Sequence, residues 1–185
     1  DASPSVVVCD PSHKAEIAPL AGTAKLFTLA SDGSGTLSNA LTDSAAEPVA
    51  RKADDLAAIL YTSGTTGRSK GAMLTQDNLL SNALTLGDYW KFTANDVLLH
   101  ALPIFHTHGL FVATNIMALA GGAMIFLPKL DIDRMIALMP EATSMMGVPT
   151  FYTRLLGDER FTKELTAHMR LFVSGSAPLL AETHK

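Results

Sequence analysis

The chain has 185 residues, of which 48% are hydrophobic and 17% charged, and its formal net charge is −4. This composition is typical of a globular protein with enough apolar residues to build a core. The acidic balance, without a basic run interleaved with aromatic residues, argues against a protein that binds nucleic acid. Cys9 is the single cysteine, which excludes an intramolecular disulfide and fits a reducing compartment. We therefore expect a cytoplasmic protein, with an organellar matrix as the alternative.

Short apolar runs alternate with helical patterns along the chain. Strands are predicted at residues 6–9, 26–29, 56–61, 97–101, 123–127, 144–147 and 171–174. Helices are predicted between most of them, at residues 13–20, 37–43, 76–90, 110–119, 132–139, 150–156 and 162–168. Thr75 and Asp131 stand at N-cap positions. Uninterrupted apolar strands separated by helices predict an α/β fold, with a mostly parallel sheet and helices on both faces in αβα layers.

The αβα layers are predicted to begin at about residue 54. Residues 1–53 are expected to form an edge or adjoining segment, and residues 54–185 the part that carries the chemistry.

One uncharged stretch, residues 109–128, approaches the length of a transmembrane helix. However, Gly121 and Gly122 break its pattern and Pro128 ends it. A buried helix, a turn and a buried strand at 123–127 explain the stretch better, so no membrane span is expected.

The clearest binding signal is the run YTSGTTGRSKGAMLT, residues 61–75, which follows a predicted strand. Its glycines allow backbone turns that a side chain would block, and its hydroxyls and backbone N–H groups can donate to an anion. Lys70 adds a compact positive charge. The candidate ligands of a polyphosphate are Thr62, Ser63, Gly64, Thr65, Thr66, Gly67 and Lys70. The run is not a Walker loop, because Lys70 follows Gly67 by three positions and is itself followed by Gly71.

This run resembles the phosphate-binding loop of the adenylate-forming superfamily, which includes acyl-CoA synthetases, peptide-synthetase adenylation domains and luciferases. The family pattern reads approximately YTSG-[ST]-TG-x-PKG, and this chain has Ser69 where proline is common, a change that removes no ligand group. The resemblance implies part of the large N-terminal domain of an acyl-CoA synthetase. It also implies ATP, Mg²⁺ and coenzyme A as cofactors or co-substrates, with Lys70 in a catalytic role.

The segment LPIFHTHGL, residues 102–110, places His106 and His108 before a predicted helix. At this spacing in an extended chain the two rings point in opposed directions, which argues against a shared metal. No metal site is predicted in the chain, and from the residues alone either histidine is most simply a satisfied polar residue. The resemblance places His106 near the acyl carboxylate and the α-phosphate, where a neutral imidazole can donate to developing negative charge. His108 matches no general family position and is expected to be an ordinary polar residue.

The segment SGSAPL, residues 174–179, ends a predicted strand in small residues and a proline. Its backbone can lie flat against a planar ring, and it resembles the Gly-Gly-Ala-Pro-type segment that packs on adenine in this superfamily. By that resemblance the adenine-binding residues are Ser174, Gly175, Ser176, Ala177 and Pro178. The alternative is an ordinary turn between a strand and a helix.

The segment GVPTFYTRLL, residues 147–156, contains a predicted helix with Phe151 and Leu155 on one face and Arg154 beside them. Arg154 is either exposed on an amphipathic helix or binds a second carboxylate of the substrate, because a buried, unpaired Arg is costly in an apolar pocket. In many acyl-CoA synthetases this helix lines the acyl pocket. The segments around His106, Arg154 and Ser174 together resemble malonyl-CoA synthetases, which implies a dicarboxylic acid bound through Arg154 and His106.

These segments each follow a predicted strand. In open α/β sheets, ligands gather at the carboxyl ends of the strands. The phosphate loop and the segments that begin at Leu102, Gly147 and Ser174 are therefore expected along one edge of the sheet.

The implied reaction has two steps. A carboxylate attacks the α-phosphate of ATP to give an acyl-adenylate and pyrophosphate, and coenzyme A then displaces AMP. Malonate is the expected acid. The alternatives are methylmalonate or another short acid, or a nucleotide-binding module without catalytic activity. Small molecules are the expected partners, and no oligomeric state is predicted.

The chain begins at Asp1 without Met and ends in a run with a helical pattern, so we interpret it as a piece of a longer protein. The family's Tyr-Gly-x-Thr-Glu segment, whose Glu binds Mg²⁺, its ribose-binding Asp and its C-terminal lid with a catalytic Lys are expected further on. We expect that these 185 residues alone do not complete the reaction.

Overall fold

The computed structural model describes residues 3–42, 44–62 and 69–184. The chain divides into two compact units, Asp1–Arg51 and Lys52–Lys185. In the first unit, strands β1 (Val6–Cys9) and β2 (Lys25–Thr28) form a parallel pair. The helical segments of this unit are short: the 3₁₀-helices Pro11–His13, Ala18–Leu20 and Ser38–Ala40, and helix α1 (Lys14–Ile17).

The second unit begins with an antiparallel pair, β3 (Leu56–Thr62) and β4 (Lys70–Thr75), which form a separate two-stranded sheet. The sequence-based prediction that the strand at 56–61 belongs to the parallel sheet is therefore wrong. The physical reason is the partner strand, whose sequence KGAMLT begins with Lys and Gly and has no buried apolar run that would mark it as a strand. β3 pairs with this exposed neighbour and is itself only partly buried.

The remaining elements build a four-stranded, fully parallel sheet in the order β6-β5-β7-β8, which confirms the predicted α/β fold. The strands are β5 (Val97–His100), β6 (Ala123–Phe126), β7 (Ser144–Gly147) and β8 (Leu171–Ser174). The helical elements are α2 (Gln76–Tyr89), a π-helix (His108–Thr114), α3 (Asn115–Ala120), α4 (Ile132–Leu138), a 3₁₀-helix (Met139–Glu141), α5 (Pro149–Leu156), α6 (Lys163–Thr166) and α7 (Ala181–His184).

Apolar cores lie on both faces of the parallel sheet. Successive side chains of a strand point to opposite faces, and β5 and β7 are apolar on both. Leu98 and Met146 join the core that includes α2 and α3, whereas Leu99 and Met145 join the core that includes α4 and α5. These four side chains are at most 1% exposed, so the sheet is the middle layer of an αβα arrangement.

Two predicted helix starts are confirmed by their hydrogen bonds. The Thr75 hydroxyl accepts from the backbone N–H of Asn78, and the Asn78 side chain bonds back to the Thr75 N–H, which is a capping box. The Asp131 carboxylate accepts from the N–H of Arg134. Both caps satisfy N–H groups that the first turn of a helix leaves without partners.

The uncharged stretch at 109–128 consists of helix, turn and strand, as the sequence predicts. Gly121 ends α3 with a φ of +71°, a left-handed conformation that glycine adopts readily. The expectation that the following strand is buried is wrong, because β6 takes an edge of the sheet and exposes Met124 and Phe126. Among the residues that the structure describes, no helix is both long and apolar enough to span a membrane.

An ion pair connects residues at the amino-terminal ends of the strands of the parallel sheet. Asp96, Thr143 and Arg170 immediately precede β5, β7 and β8, which are neighbouring strands. Arg170 Nε lies 2.6 Å from Asp96 Oδ1 and Nη2 lies 2.8 Å from Oδ2, and the Thr143 hydroxyl donates to Oδ1 at 2.9 Å. Burial by itself raises the pKa of Asp96, but hydrogen bonds from Arg170, Thr93 and Thr143 outweigh it and lower the pKa to about 2.

Candidate functional site

Three of the four predicted segments follow neighbouring strands at the carboxyl edge of the parallel sheet. The segments that begin at Leu102, Gly147 and Ser174 lie at the ends of β5, β7 and β8, in the expected arrangement. The expectation that the fourth segment, the phosphate loop, follows a strand of the same sheet is wrong. This loop connects β3 to β4, which form their own two-stranded sheet, so the loop after β3 does not follow a strand of the parallel sheet.

A side-chain contact joins the segment after β5 to the segment after β8. His108 Nδ1 lies 3.1 Å from the Ser176 hydroxyl oxygen. Gly175 makes this approach possible, because a Cβ at residue 175 would lie only 2.9 Å from His108 Cε1. The backbone N–H of Gly175 donates to the carbonyl oxygen of Gly147 at 3.0 Å, which ties the third segment to the other two.

A pocket of about 330 Å³ lies beside this contact. Its polar wall is formed by the loop after β5 and the end of β8, namely His106, Thr107, His108, Ser174, Gly175 and Ser176. Its apolar wall is formed by Leu86, Trp90, Val112 and Val173. Convergent polar groups at one side of an apolar pocket are typical of a site for a small molecule.

The two histidines differ in exposure. His106 is exposed, whereas His108 is 9% exposed. Burial lowers the pKa of His108, and the nearby His106 and His100 lower it further, so its imidazole is neutral at physiological pH. A neutral imidazole donates from one nitrogen and accepts at the other, which suits hydrogen bonding to a substrate oxygen.

Sequence reasoning assigned His108 no role beyond that of an ordinary polar residue. The structure buries it in the polar wall of the pocket, in contact with the segment predicted to bind adenine. The available signal was the small pair Gly175 and Ser176 directly after a predicted strand, which leaves space for a ring.

The segment at 174–178 presents both a buried and an exposed part. Ser174 Oγ is buried and has no hydrogen-bond partner among the described residues. Ser176, Ala177 and Pro178 are exposed, and Ser176 has a φ of +68°, which is uncommon for a residue other than glycine. Such backbone strain is found disproportionately at functional sites.

Arg154 lies on the outer side of α5. Phe151 and Leu155 face the core as the helical spacing predicts, whereas Arg154 is exposed. Its guanidinium forms no ion pair within the described part of the chain, and it does not line the pocket beside His106. The two alternatives for Arg154 therefore both stand.

Helix α5 is anchored to β8 by a buried tyrosine. The Tyr152 hydroxyl donates to the carbonyl oxygen of Val173 at 2.5 Å. Burial raises the pKa of this hydroxyl, which keeps it protonated and able to donate. Because Val173 lines the pocket, this bond fixes the helix that carries Arg154 relative to the pocket wall.

Thr62 and Lys70 are the ends of the predicted phosphate loop that the structure describes. They face each other as the last residue of β3 and the first of β4, and the Thr62 hydroxyl donates to the carbonyl oxygen of Lys70 at 3.5 Å. Both residues are exposed. The predicted ligands Ser63, Gly64, Thr65, Thr66 and Gly67 lie outside the described residues.

The acidic and metal-ligating side chains are dispersed. Within residues 3–42, 44–62 and 69–184, no three His, Cys, Asp or Glu side chains are close enough to share a metal ion.

Comparison with known proteins identifies the family. A family model described as AMP-binding enzyme matches residues 1–185. The malonate–CoA ligase of Arabidopsis thaliana is 35% identical over 161 residues, which cover 76% of this chain and 26% of that protein. The chain thus spans about a quarter of the length of this curated relative.

Solved structures give the same result. The ATP-bound MatB from Rhodopseudomonas palustris superposes with a TM-score of 0.95 at 63% identity, covering 100% of this chain and 37% of that one. A malonyl-CoA ligase in a ternary product complex with methylmalonyl-CoA and AMP superposes with a TM-score of 0.79 at 32% identity, covering 100% of this chain and 38% of that one. The fold matches the N-terminal domain of acyl-CoA synthetases. The chain belongs to the AMP-binding enzyme family.

Proposed function

We propose that the protein to which this chain belongs is an ATP-dependent acid–CoA ligase that converts malonate to malonyl-CoA through an acyl-adenylate. The observation that carries the proposal is the 63% identity with ATP-bound MatB over the whole chain. The polar wall at the carboxyl edge of the sheet supports it, because a small acid fits a pocket of about 330 Å³ with several hydrogen-bonding groups.

The phosphate groups of ATP are proposed to bind the loop between β3 and β4. The binding residues are Thr62, Ser63, Gly64, Thr65, Thr66, Gly67 and Lys70. Hydroxyls and backbone N–H groups donate to phosphate oxygens, and the ammonium of Lys70 neutralises charge that accumulates as pyrophosphate leaves. The exposure of Thr62 and Lys70 at the strand ends is compatible with this role.

The adenine ring is proposed to pack on the backbone from residue 174 to residue 178. The proposed contacts are Ser174, Gly175, Ser176, Ala177 and Pro178, of which the last three are exposed. This placement brings the α-phosphate toward the pocket wall that holds His106 and His108. His106 is exposed there and could donate to the oxygen that gains negative charge when the carboxylate attacks.

The distal carboxylate of malonate is proposed to bind Arg154, with His106 near the reacting carboxylate. A guanidinium presents a planar pair of donors that matches a carboxylate. Arg154 has no ion-pair partner among the described residues, which leaves its donors available for a ligand. Residues 54–185 would then form the subdomain that binds ATP and the acid.

Coenzyme A and Mg²⁺ belong to the proposal as co-substrate and as the ion that accompanies ATP. Mg²⁺ would neutralise phosphate charge when bound. Among the residues that the structure describes, no three His, Cys, Asp or Glu side chains cluster into a metal site. A cytoplasmic location is likewise proposed, from the single cysteine.

The test is product formation by the complete polypeptide. Incubation with ATP, Mg²⁺, malonate and coenzyme A is expected to give malonyl-CoA and AMP in equal amounts. Release of ADP in place of AMP would contradict the adenylate route. ATP binding without any AMP formation would favour the alternative of a non-catalytic nucleotide-binding module.

Methylmalonate is a second candidate acid, and one observation favours it. The malonyl-CoA ligase that is 32% identical to this chain was solved with methylmalonyl-CoA bound. The same assay with methylmalonate in place of malonate compares the two acids directly by their kcat/KM values.

A further inference from the structure

The carbonyl oxygen of Gly109 accepts hydrogen bonds from two side chains. His100 Nε2 and Thr114 Oγ1 each lie 2.9 Å from it. Because a carbonyl oxygen can only accept, His100 carries a proton on Nε2. Its other ring nitrogen, Nδ1, is buried without a hydrogen-bond partner in the described part of the chain, and burial lowers the pKa of the ring. His100 is thus a neutral imidazole with one defined donor.

Gly109 is the point at which the loop that carries His106 and His108 closes on itself. A Cβ at residue 109 would lie 2.3 Å from the carbonyl oxygen of Pro103, so the two ends of the loop are in direct contact. Within the loop, the His106 N–H donates to the Pro103 carbonyl at 3.3 Å and the Leu110 N–H donates to the His106 carbonyl at 3.0 Å. A displacement of Gly109 would therefore change the orientation of both histidines.

The two donors hold Gly109 from different elements. His100 is the last residue of β5, and Thr114 is the last residue of the π-helix. π-helical turns are rare and concentrate at functional sites. His100 is itself fixed, since it is 1% exposed and packs against Phe126 with 5.0 Å between ring centroids.

We propose that His100 and Thr114 are positioning residues, which hold the Gly109 carbonyl and thereby set the orientation of His106 and His108 in the pocket. Neither residue lines the pocket, so neither is assigned contact with substrate. The inference rests on the proposed function for its activity readout, and a spectroscopic readout tests it independently.

The activity test compares two substitutions of Thr114 in the complete polypeptide. Thr114→Val keeps the shape of the side chain and removes the donor, whereas Thr114→Ser keeps the donor. We expect Thr114→Val to lower kcat/KM for malonate about fivefold or more, and Thr114→Ser to stay within about twofold of the wild type. Thr166→Val is the matched control, because Thr166 donates to the carbonyl of Thr162 at 3.1 Å in α6, away from the loop.

The spectroscopic test follows the imidazole NMR signals of His106 and His108. Thr114→Val is expected to shift both sets of signals, and Thr114→Ser and Thr166→Val are expected to leave them in place. His100→Phe, which keeps an aromatic ring against Phe126 without the donor, is expected to shift them in the same way. His100→Gln retains a terminal N–H donor and is expected to reverse part of the effect.

Two results would overturn the positioning role. One is a Thr114→Val protein whose histidine signals and kcat/KM are unchanged. The other is a Thr114→Ser protein that is impaired as much as Thr114→Val, since the loss would then come from packing. If the wild type does not activate malonate but the histidine signals respond as expected, the proposed function fails while the positioning role stands.

Discussion

His108 Nδ1 lies 3.1 Å from the Ser176 hydroxyl, which joins two segments that are 68 residues apart in sequence. The strands that precede these segments, β5 and β8, are separated by β7. The contact therefore bridges three strand ends and holds the loop with the histidines against the segment proposed to bind adenine. The contact requires that residue 175 has no side chain.

Substitution of Gly175 by alanine is expected to disrupt this contact. The added Cβ would meet His108 Cε1 at 2.9 Å, a distance that forces the ring or the backbone to move. We expect kcat/KM for malonate to fall about tenfold or more, because a displacement of about 1 Å at a reacting group is enough for a loss of that order.

Gly157→Ala is the matched control for this prediction. At residue 157 a Cβ would have its nearest neighbours at 3.5 Å, and φ is −80°, so alanine fits. The measurement is kcat/KM for malonate, obtained by steady-state kinetics of both variants. Equal kcat/KM values for the Gly175→Ala and Gly157→Ala proteins would show that the His108 position does not affect activity.

The stability of the protein is expected to decrease as the pH falls below about 6.5, the ordinary pKa of histidine. Burial lowers the pKa of His108 and of His100, so the unfolded chain binds more protons than the folded one in this range. The two histidines therefore contribute to stability at pH values above the pKa that they have in the unfolded chain. This contribution is lost as the pH falls toward the lower pKa values that they have in the folded protein.

The measurement for this effect is urea denaturation across that pH range. His108→Gln removes one of the two groups and is expected to make the free energy of unfolding less dependent on pH. His13→Gln, at an exposed residue of the first unit, serves as the control. An identical pH slope for His108→Gln and the wild type would contradict the buried, neutral state of His108.

The ion pair at the amino-terminal edge of the sheet is expected to contribute strongly to stability. Arg170→Met would leave the Asp96 carboxylate buried with fewer partners, and Asp96 has a side chain that is 4% exposed. Since Arg170 is partly exposed and the pair is therefore screened by solvent, we expect a loss of about 2 kcal/mol in the free energy of unfolding, less than for a fully buried pair. Arg160→Met is the control, because Arg160 is exposed and its partner Asp133 is exposed as well, so little change is expected.

The same ion pair predicts acid sensitivity in a defined range. The pKa of Asp96 is lowered to about 2, below the ordinary value of about 3.9. The stability from this carboxylate is complete above the higher value and is lost as the pH falls from about 4 to about 2. Denaturation of Arg170→Met in that range should show a shallower pH dependence than the wild type, and an equally steep one would argue against the pairing.

Arg154→Ala tests the proposed acid specificity. If Arg154 binds the distal carboxylate, kcat/KM for malonate should fall about a hundredfold, while acetate and butyrate, which lack that carboxylate, should change little. Arg160→Ala removes an exposed guanidinium elsewhere and should affect none of the three acids. An equal loss for malonate and butyrate would assign Arg154 a structural role on α5.

The parallel sheet and three of its carboxyl-edge segments were predictable from local sequence. Leu98, Leu99, Met145 and Met146 form uninterrupted apolar strands, a pattern that requires burial on both faces and hence helices on both sides. The parallel direction of such strands places the turns that follow them on one edge, which located the segments around His106 and Ser174 correctly.

The remaining features depend on contacts between distant residues. β4 pairs with β3 in a register that places Gly71 opposite Tyr61, and no local apolar pattern in its sequence predicts that pairing. The burial of His108 depends on Gly175, which follows a strand much later in the chain. The exposure of Arg154 depends on which face of α5 packs on the sheet, and the helical spacing of apolar residues predicts that face. The spacing does not predict what the guanidinium of Arg154 binds.

The most direct measurement of the central claim is ATP–pyrophosphate exchange by the complete polypeptide without coenzyme A. The adenylate route predicts exchange that requires malonate, saturates with it and is much slower with acetate. Exchange that is absent with every acid, or equally fast without any acid, would contradict the assignment of this site to malonate activation.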